Sequence, residues 1–88
     1  MATIKIFTKD NCPKCPKAHE LASVLKQQKV DVMEYNVDGS PDAMAEAAFH
    51  SVMSTPSIIV VDNKDEEIVS WRGEVPRFDE ILKTVRAQ

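Results

Sequence analysis

Several things are scarce in this sequence, and each scarcity closes off a class of protein. There are two cysteines, Cys12 and Cys15, too few for the disulfide framework of a small secreted scaffold. With 2 Gly and 5 Pro among 88 residues, the chain does not have the makeup of a disordered linker. No apolar run approaches the ~18 residues of a membrane span. The opening Met1-Ala2-Thr3-Ile4-Lys5 has no basic segment followed by a long apolar stretch, so no secretory signal and a cytoplasmic location are expected. Basic residues number 11 against 14 acidic ones, which argues against a nucleic-acid binder held by phosphate contacts. What remains is an ordinary globular composition, 43% hydrophobic and 28% charged. The length suits one domain, residues 1–88, with a modest core and one site.

Along the chain, Thr3 to Thr8 is β-branched and aromatic-rich, and reads as a strand. From about Pro13 to Lys29 the apolar residues Cys15, Ala18, Ala22 and Leu25 recur at helical steps, with Leu21 beside them. Cys15 is thus placed on the buried stripe and Cys12 before the first turn. Pro16 is tolerated only in that first turn. Val30 to Val37 reads as a second strand. Ser40 is a helix cap, followed by Pro41 and Asp42 in the first turn. That helix is expected to reach about Met53 and to bury Met44, Ala48, Phe49 and Val52. Ser57 to Asp62 is apolar enough for a strand buried on both faces. Asn63-Lys64-Asp65 turns into a strand from Glu67 to Arg72. A last amphipathic helix, from about Pro76 to Ala87, carries Phe78, Ile81, Leu82 and Val85 on one side. The order β-α-β-α-β-β-α implies a right-handed parallel crossover followed by a tight antiparallel pair. The expected fold class is α/β: a four-stranded mixed sheet flanked by three helices.

The chemistry concentrates in Cys12-Pro13-Lys14-Cys15, where the first strand hands over to the first helix. A free thiol, with a pKa near 8.5, is only roughly 3% thiolate at pH 7. A helix N-terminus carries about half a positive charge and unpaired N–H donors, and both favour a thiolate at Cys12. Lowering a thiol pKa to about 7 makes it roughly half thiolate, a differential stabilisation of about 2 kcal/mol. Lys9, Lys14 and Lys17 add weakly to the field through solvent. The spacing lets Cys15 attack a mixed disulfide formed by Cys12, and Pro13 stiffens the link. A Cys-x-x-Cys also serves zinc, but a tetrahedral site wants four ligands and there is no second cysteine pair. His19 and His50 read as helix-surface histidines. Met44 and Met53 read as packing residues, Trp71 as a core or sheet-edge aromatic, and Asp62, Asp65, Glu66 and Glu67 as a solvated hairpin tip.

The segment Phe7-Thr8-Lys9-Asp10-Asn11-Cys12-Pro13-Lys14-Cys15 resembles the active-site segment of glutaredoxins, which typically carry Cys-Pro-Tyr-Cys. The element order resembles the minimal thioredoxin fold of glutaredoxin-like small redoxins over nearly the whole chain. The resemblance implies that Thr55-Pro56 is the cis-proline step facing the disulfide, with the Thr55 backbone free to pair with an incoming peptide. Ser54-Thr55 stands where glutaredoxins have Thr-Val. The stretch Ser70-Trp71-Arg72-Gly73-Glu74-Val75-Pro76 lacks their Gly-Gly pair and following Asp, and looks more like that of redoxins recycled by a thioredoxin-reductase flavoenzyme. Ile6 occupies the position at which thioredoxins commonly bury an acidic proton shuttle.

The expected activity is therefore dithiol–disulfide exchange, with Cys12 as nucleophile and Cys15 as resolving thiol. Thr55, Pro56, Lys9, Pro13 and Lys14 are expected to contact substrate. Protein disulfides are the expected substrates and a flavoprotein reductase the expected donor, with glutathione the alternative. No bound cofactor, no metal, no nucleic acid or membrane partner and a monomeric state are expected. The rival from another class is a redoxin fold that holds zinc or an Fe–S cluster at Cys12 without turnover. A purely structural domain whose cysteines never cycle is a third.

Overall fold

The computed structural model describes residues 2–87. Its elements are β1 (Thr3–Thr8), α1 (Cys15–Gln27), β2 (Val32–Asn36), α2 (Pro41–Phe49), β3 (Ser57–Val61), β4 (Glu67–Arg72) and α3 (Phe78–Arg86). They form one four-stranded sheet in the order β2-β1-β3-β4. β1 runs parallel to β2, with Ile6 opposite Glu34. It runs antiparallel to β3, with Phe7 opposite Ser57, and β3 is antiparallel to β4. The expected α/β architecture, mixed sheet and element order are what the structure contains.

Alternation along the strands sends successive side chains to opposite faces. Ile4 and Ile6 of β1 and Ile58 and Val60 of β3 join Ala18, Leu21, Ala22 and Leu25 of α1 and Ile81 of α3 in the larger core. Phe7, Ile59 and Val61 face the other way and pack with Ala47 of α2. β3 is buried along its whole length, as its unbroken apolar run requires when both faces are covered. Trp71 is half-buried against the larger core.

α1 begins at Cys15 rather than near Pro13, with Lys14 at the cap and Pro16 in the first turn. A ring nitrogen has no hydrogen to donate, and in the first turn none is needed. α2 starts as expected, with the Ser40 hydroxyl accepting from the Ala43 N–H at 3.1 Å. It ends at Phe49, short of Met53. Its buried stripe is Ala43 and Ala47, not Met44, Ala48 and Phe49. Met44 is 61% exposed, Phe49 67% and Met53 93%. The small alanines let the helix lie close over Phe7 and its neighbours, which turns the larger side chains outward.

His50 is the other departure. It caps the C-terminal end of α2 and is buried. Its Nε2 lies 3.1 Å from the Lys5 ammonium, and an ammonium can only donate, so Nε2 accepts. Lys5 also donates to Asp65 at 2.6 Å and to Glu46. This ammonium is buried, which pulls its pKa down, but the bonds to Asp65 and Glu46 more than offset that and hold it above its ordinary value. The hairpin tip is therefore not wholly solvated, since Asp65 is tied beneath it.

Candidate functional site

β1 ends at Thr8 and its antiparallel neighbour β3 begins at Ser57, so the Cys-x-x-Cys segment and the Thr55-Pro56 step emerge at the same end of the sheet. Between Thr8 and Cys12 the chain must turn sharply. Asn11 does this in the left-handed region, at φ 56°, a conformation asparagine tolerates better than most residues. The end of β2 pins this loop: the Asp10 N–H donates to Asp38 Oδ2 at 3.0 Å, and Asn36 donates to Asp10 Oδ1 at 3.2 Å. Asp10 and Asn11 read from the sequence as breakers of the first strand and Asp38 as part of a turn, but the pairing of this loop with Asn36 and Asp38 had no sequence signal.

Cys12 and Cys15 are joined in a disulfide, S–S 2.16 Å. Cys15 is 3% exposed, while Cys12 is half-buried before the helix. The Cys15 N–H donates to the Cys12 carbonyl at 3.2 Å. A hollow of about 490 Å³ opens beside the pair, lined by Lys9, Asn11, Cys12, Pro13, Cys15, Pro16 and His19. Lys9 also lines a second, more apolar groove of about 380 Å³ with Met44, Val52, Met53, Ser54 and Thr55. Lys9 and Pro13 are thus brought to the cysteines and Thr55 to the adjoining groove. Lys14 is exposed at the helix cap and lines neither hollow.

The Thr55–Pro56 peptide is cis. Pro56 is fully buried, and its carbonyl accepts from the Gly73 N–H at 2.8 Å. Gly73 has φ +79°, and a Cβ there would come within 3.3 Å of Ser54 Oγ. The single glycine after Trp71 is thereby accounted for by its backbone and by its approach to Ser54. The Thr55 hydroxyl is buried without a hydrogen-bond partner among the described residues.

Residues 2–86 match the family described as thioredoxin domain. The chain belongs to that family. Thioredoxin 1 from Thermosipho africanus superposes with a TM-score of 0.74 at 21% identity, over 97% of this chain and 91% of that one. A point mutant of thioredoxin from Halobacterium salinarum gives 0.81 at 17% identity, over 98% and 73%. A thioredoxin from Thermus thermophilus gives 0.67 at 23% identity, over 98% and 72%. At these identities the structures share the fold. No curated protein sequence matches the chain.

Within this thioredoxin domain, Ile6 is fully buried in the apolar core beneath α1, so no acid lies at that position. Among the described residues, one group of three potential metal ligands comes together: Glu46, His50 and Asp65. Lys5 already bonds all three, so a side-chain ammonium supplies the positive charge there. No helix among the described residues is long and apolar enough to cross a membrane.

Proposed function

We propose that this protein is a dithiol–disulfide oxidoreductase that reduces protein disulfides, the 1–88 unit acting as one thioredoxin-like domain. The observation that carries the reading is the Cys12–Cys15 pair at the head of α1, with Cys12 accessible and Cys15 buried. Cys12, as thiolate, attacks a target disulfide and forms a mixed disulfide. Cys15 then attacks the Cys12 sulfur, releasing the reduced target and closing Cys12–Cys15. The end of α1 favours negative charge at the attacking sulfur, and the nearby Lys9 ammonium adds to that field.

Protein rather than small-molecule disulfides fit the surface. The groove that continues from Lys9 to Thr55 exposes Met44 and Met53, flexible thioethers that adapt to varied apolar side chains. The Thr55 main chain can pair with an extended peptide in the manner of an added strand. Pro13 bounds the path, the buried Pro56 holds the Thr55 main chain beside it, and Lys14 meets partners from the rim.

A flavoprotein of the thioredoxin-reductase type is the proposed donor. Gly73 is followed by Glu74 where a glutathione site would need a group that welcomes carboxylates, and Ser54 fills the space against Gly73. A soluble, monomeric, cytoplasmic protein needing no bound cofactor completes the reading. The glutathione alternative draws on Lys9, the one ammonium lining both hollows described above.

The test is a coupled assay on the oxidised protein, comparing NADPH with a thioredoxin-reductase flavoenzyme against glutathione with glutathione reductase. Turnover with the flavoenzyme is expected. Cys12→Ser should abolish it, and Cys15→Ser should accumulate the mixed disulfide. Preference for glutathione would make the protein a glutaredoxin in function. Turnover with neither donor, and no Cys12-dependent exchange, would overturn the redox reading.

A further inference from the structure

Thiol exchange of the kind proposed above requires Cys15 to lose its proton before it can attack. Cys15 is 3% exposed, so water reaches it poorly. Ile6, at the position where thioredoxins commonly bury an acid, is buried in the apolar core and carries no acid or base. A proton acceptor must come from elsewhere, and one titratable side chain of the next helical turn lines the hollow at the disulfide. His19 follows Cys15 by four residues on α1, and residues so spaced are neighbours on a helix surface, with Cβ atoms about 5–6 Å apart. Long helical side chains also lean toward the preceding turn, which for His19 is the turn of Cys15. His19, Cys12 and Cys15 share the lining of one hollow of about 490 Å³.

The imidazole is held by a third group. Its Nδ1 lies 3.1 Å from Glu34 Oε1. Glu34 sits opposite Ile6 in the parallel register, on the edge strand β2, and so faces α1. The other oxygen of Glu34 accepts from the Lys26 ammonium at 2.7 Å. Partial burial pushes the Glu34 carboxyl upward, but the bonds from Lys26 and His19 outweigh it and hold the group ionised below its ordinary range. An ionised carboxylate only accepts, so Nδ1 donates, and in the neutral ring Nε2 is then the bare nitrogen. A base oriented by a carboxylate on its far nitrogen, beside a thiol nucleophile, is a recurring catalytic arrangement. The charged and titratable groups facing this imidazole are Glu34 from β2, Lys26 and Cys15 from α1, and Lys9 and Cys12 from the loop before it.

We propose that His19, positioned by Glu34, is the proton acceptor for the resolving thiol Cys15. In the mixed disulfide, Nε2 takes the Cys15 proton. The Cys15 thiolate then forms the Cys15–Cys12 bond as the bond from Cys12 to the target sulfur breaks. The departing target thiolate takes a proton from the imidazolium, which returns His19 to its neutral state. The target disulfide has gained two electrons and two protons, and the two cysteine thiols have lost them. This proposal rests on the redox reading above.

Single-turnover exchange of the reduced protein with bis(2-hydroxyethyl) disulfide tests it. Acid quenching and mass spectrometry separate the open dithiol, the mixed disulfide and the closed Cys12–Cys15 form. In His19→Ala, mixed-disulfide formation should stay within about twofold of wild type, while closure slows about tenfold at neutral pH, less than the usual ~10²–10⁴ of a general base because the group is so exposed. Wild-type closure should depend less steeply on pH than closure in His19→Ala, which must follow the thiolate fraction that Cys15 forms unaided. Imidazole in the buffer should restore closure in His19→Ala, and Glu34→Gln should slow it about threefold. His19→Gln, closer in size, should behave as His19→Ala does. Closure at the wild-type rate in both His19 variants overturns the proposal, as does equal slowing of both steps without imidazole rescue. If wild type forms no mixed disulfide with this probe or with the disulfides of insulin, the redox reading itself fails, and the proposal with it.

Discussion

The two faces of the sheet are built on different principles. Beneath α1 and α3 the buried contact is apolar, from Ile4 and Ile6 to Leu25 and Ile81, with Glu34, His19 and Lys26 paired at its edge. Beneath α2 it is thin: Ala43 and Ala47 are the buried residues of that helix, and the space beside them holds Lys5, Glu46, His50 and Asp65. The first face fixes α1, and with it the sulfur pair at its head, through close-packed side chains. The second joins α2 to the β3–β4 hairpin by ionic hydrogen bonds and leaves Met44, Phe49 and Met53 outside. The face carrying the reactive pair is thus rigid by packing. The face beside the proposed peptide groove is held by fewer apolar contacts and has more freedom to adapt.

The largest expected effect comes from breaking the first face. Leu25 is fully buried in it, and Leu25→Ala should lower the unfolding free energy of the oxidised protein by about 2–5 kcal/mol in urea titration. On the other face Ala47→Gly removes a single methyl group and some helix propensity, and should cost only about 1–2 kcal/mol. Equal costs would mean that the two faces hold the fold alike, and the contrast drawn here would be lost.

The same contrast separates what can be read from the chain from what cannot. The apolar run from Ile58 to Val61 and the stripe of Cys15, Ala18, Ala22 and Leu25 announce the first face, because burial of large apolar groups leaves a periodic signal. α2 carries two neighbouring apolar stripes, Ala43 with Ala47 and Met44 with Ala48, and periodicity cannot choose between them. Packing distance to Phe7 chooses the smaller pair. Lys5 alternates with isoleucines and reads as a solvent-facing residue, yet β1 is an interior strand and α2 covers it. The site divides likewise. Cys12 and Cys15 carry a local motif, and Thr55-Pro56 is placed by the family resemblance. The His19–Glu34 pair spans fifteen positions and exists only because the parallel crossover lays β2 alongside α1.

A middle-sized effect is expected at Lys5. Lys5→Met keeps the stem volume and removes the charge. Glu46 and Asp65, 27% and 46% exposed at their side chains, can then turn to water, so the cost should be about 1–2 kcal/mol rather than that of stranding a fully buried charge. The sign with pH follows from the direction of the shift. The folded-state pKa of Lys5 lies above its ordinary 10.5, so its contribution is complete below that value and disappears as pH rises through the folded-state pKa. Wild type should therefore lose stability in alkali more steeply than Lys5→Met, and the two unfolding curves should converge. Parallel curves would show that Lys5 is held by packing of its stem, and α2 would then be joined to the sheet as apolarly as α1 is.

The smallest effect concerns how α2 begins. Ser40 is extended, at φ −162° and ψ 153°, and its hydroxyl satisfies the Ala43 N–H, one of the donors that a helix start leaves without a partner. Ser40→Ala should cost about 1 kcal/mol, and Ser40→Asp should recover it, since a carboxylate both caps and complements the positive end of the helix. Because α2 has nine residues and few buried ones, the loss should be felt locally. Amide exchange at Ala43 should accelerate in Ser40→Ala, while the amides of β1 and β3 keep their protection. If the whole domain loses protection together, α2 is as firmly coupled to the sheet as α1, and the apolar groove beside Thr55 is a fixed shape rather than an adaptable one.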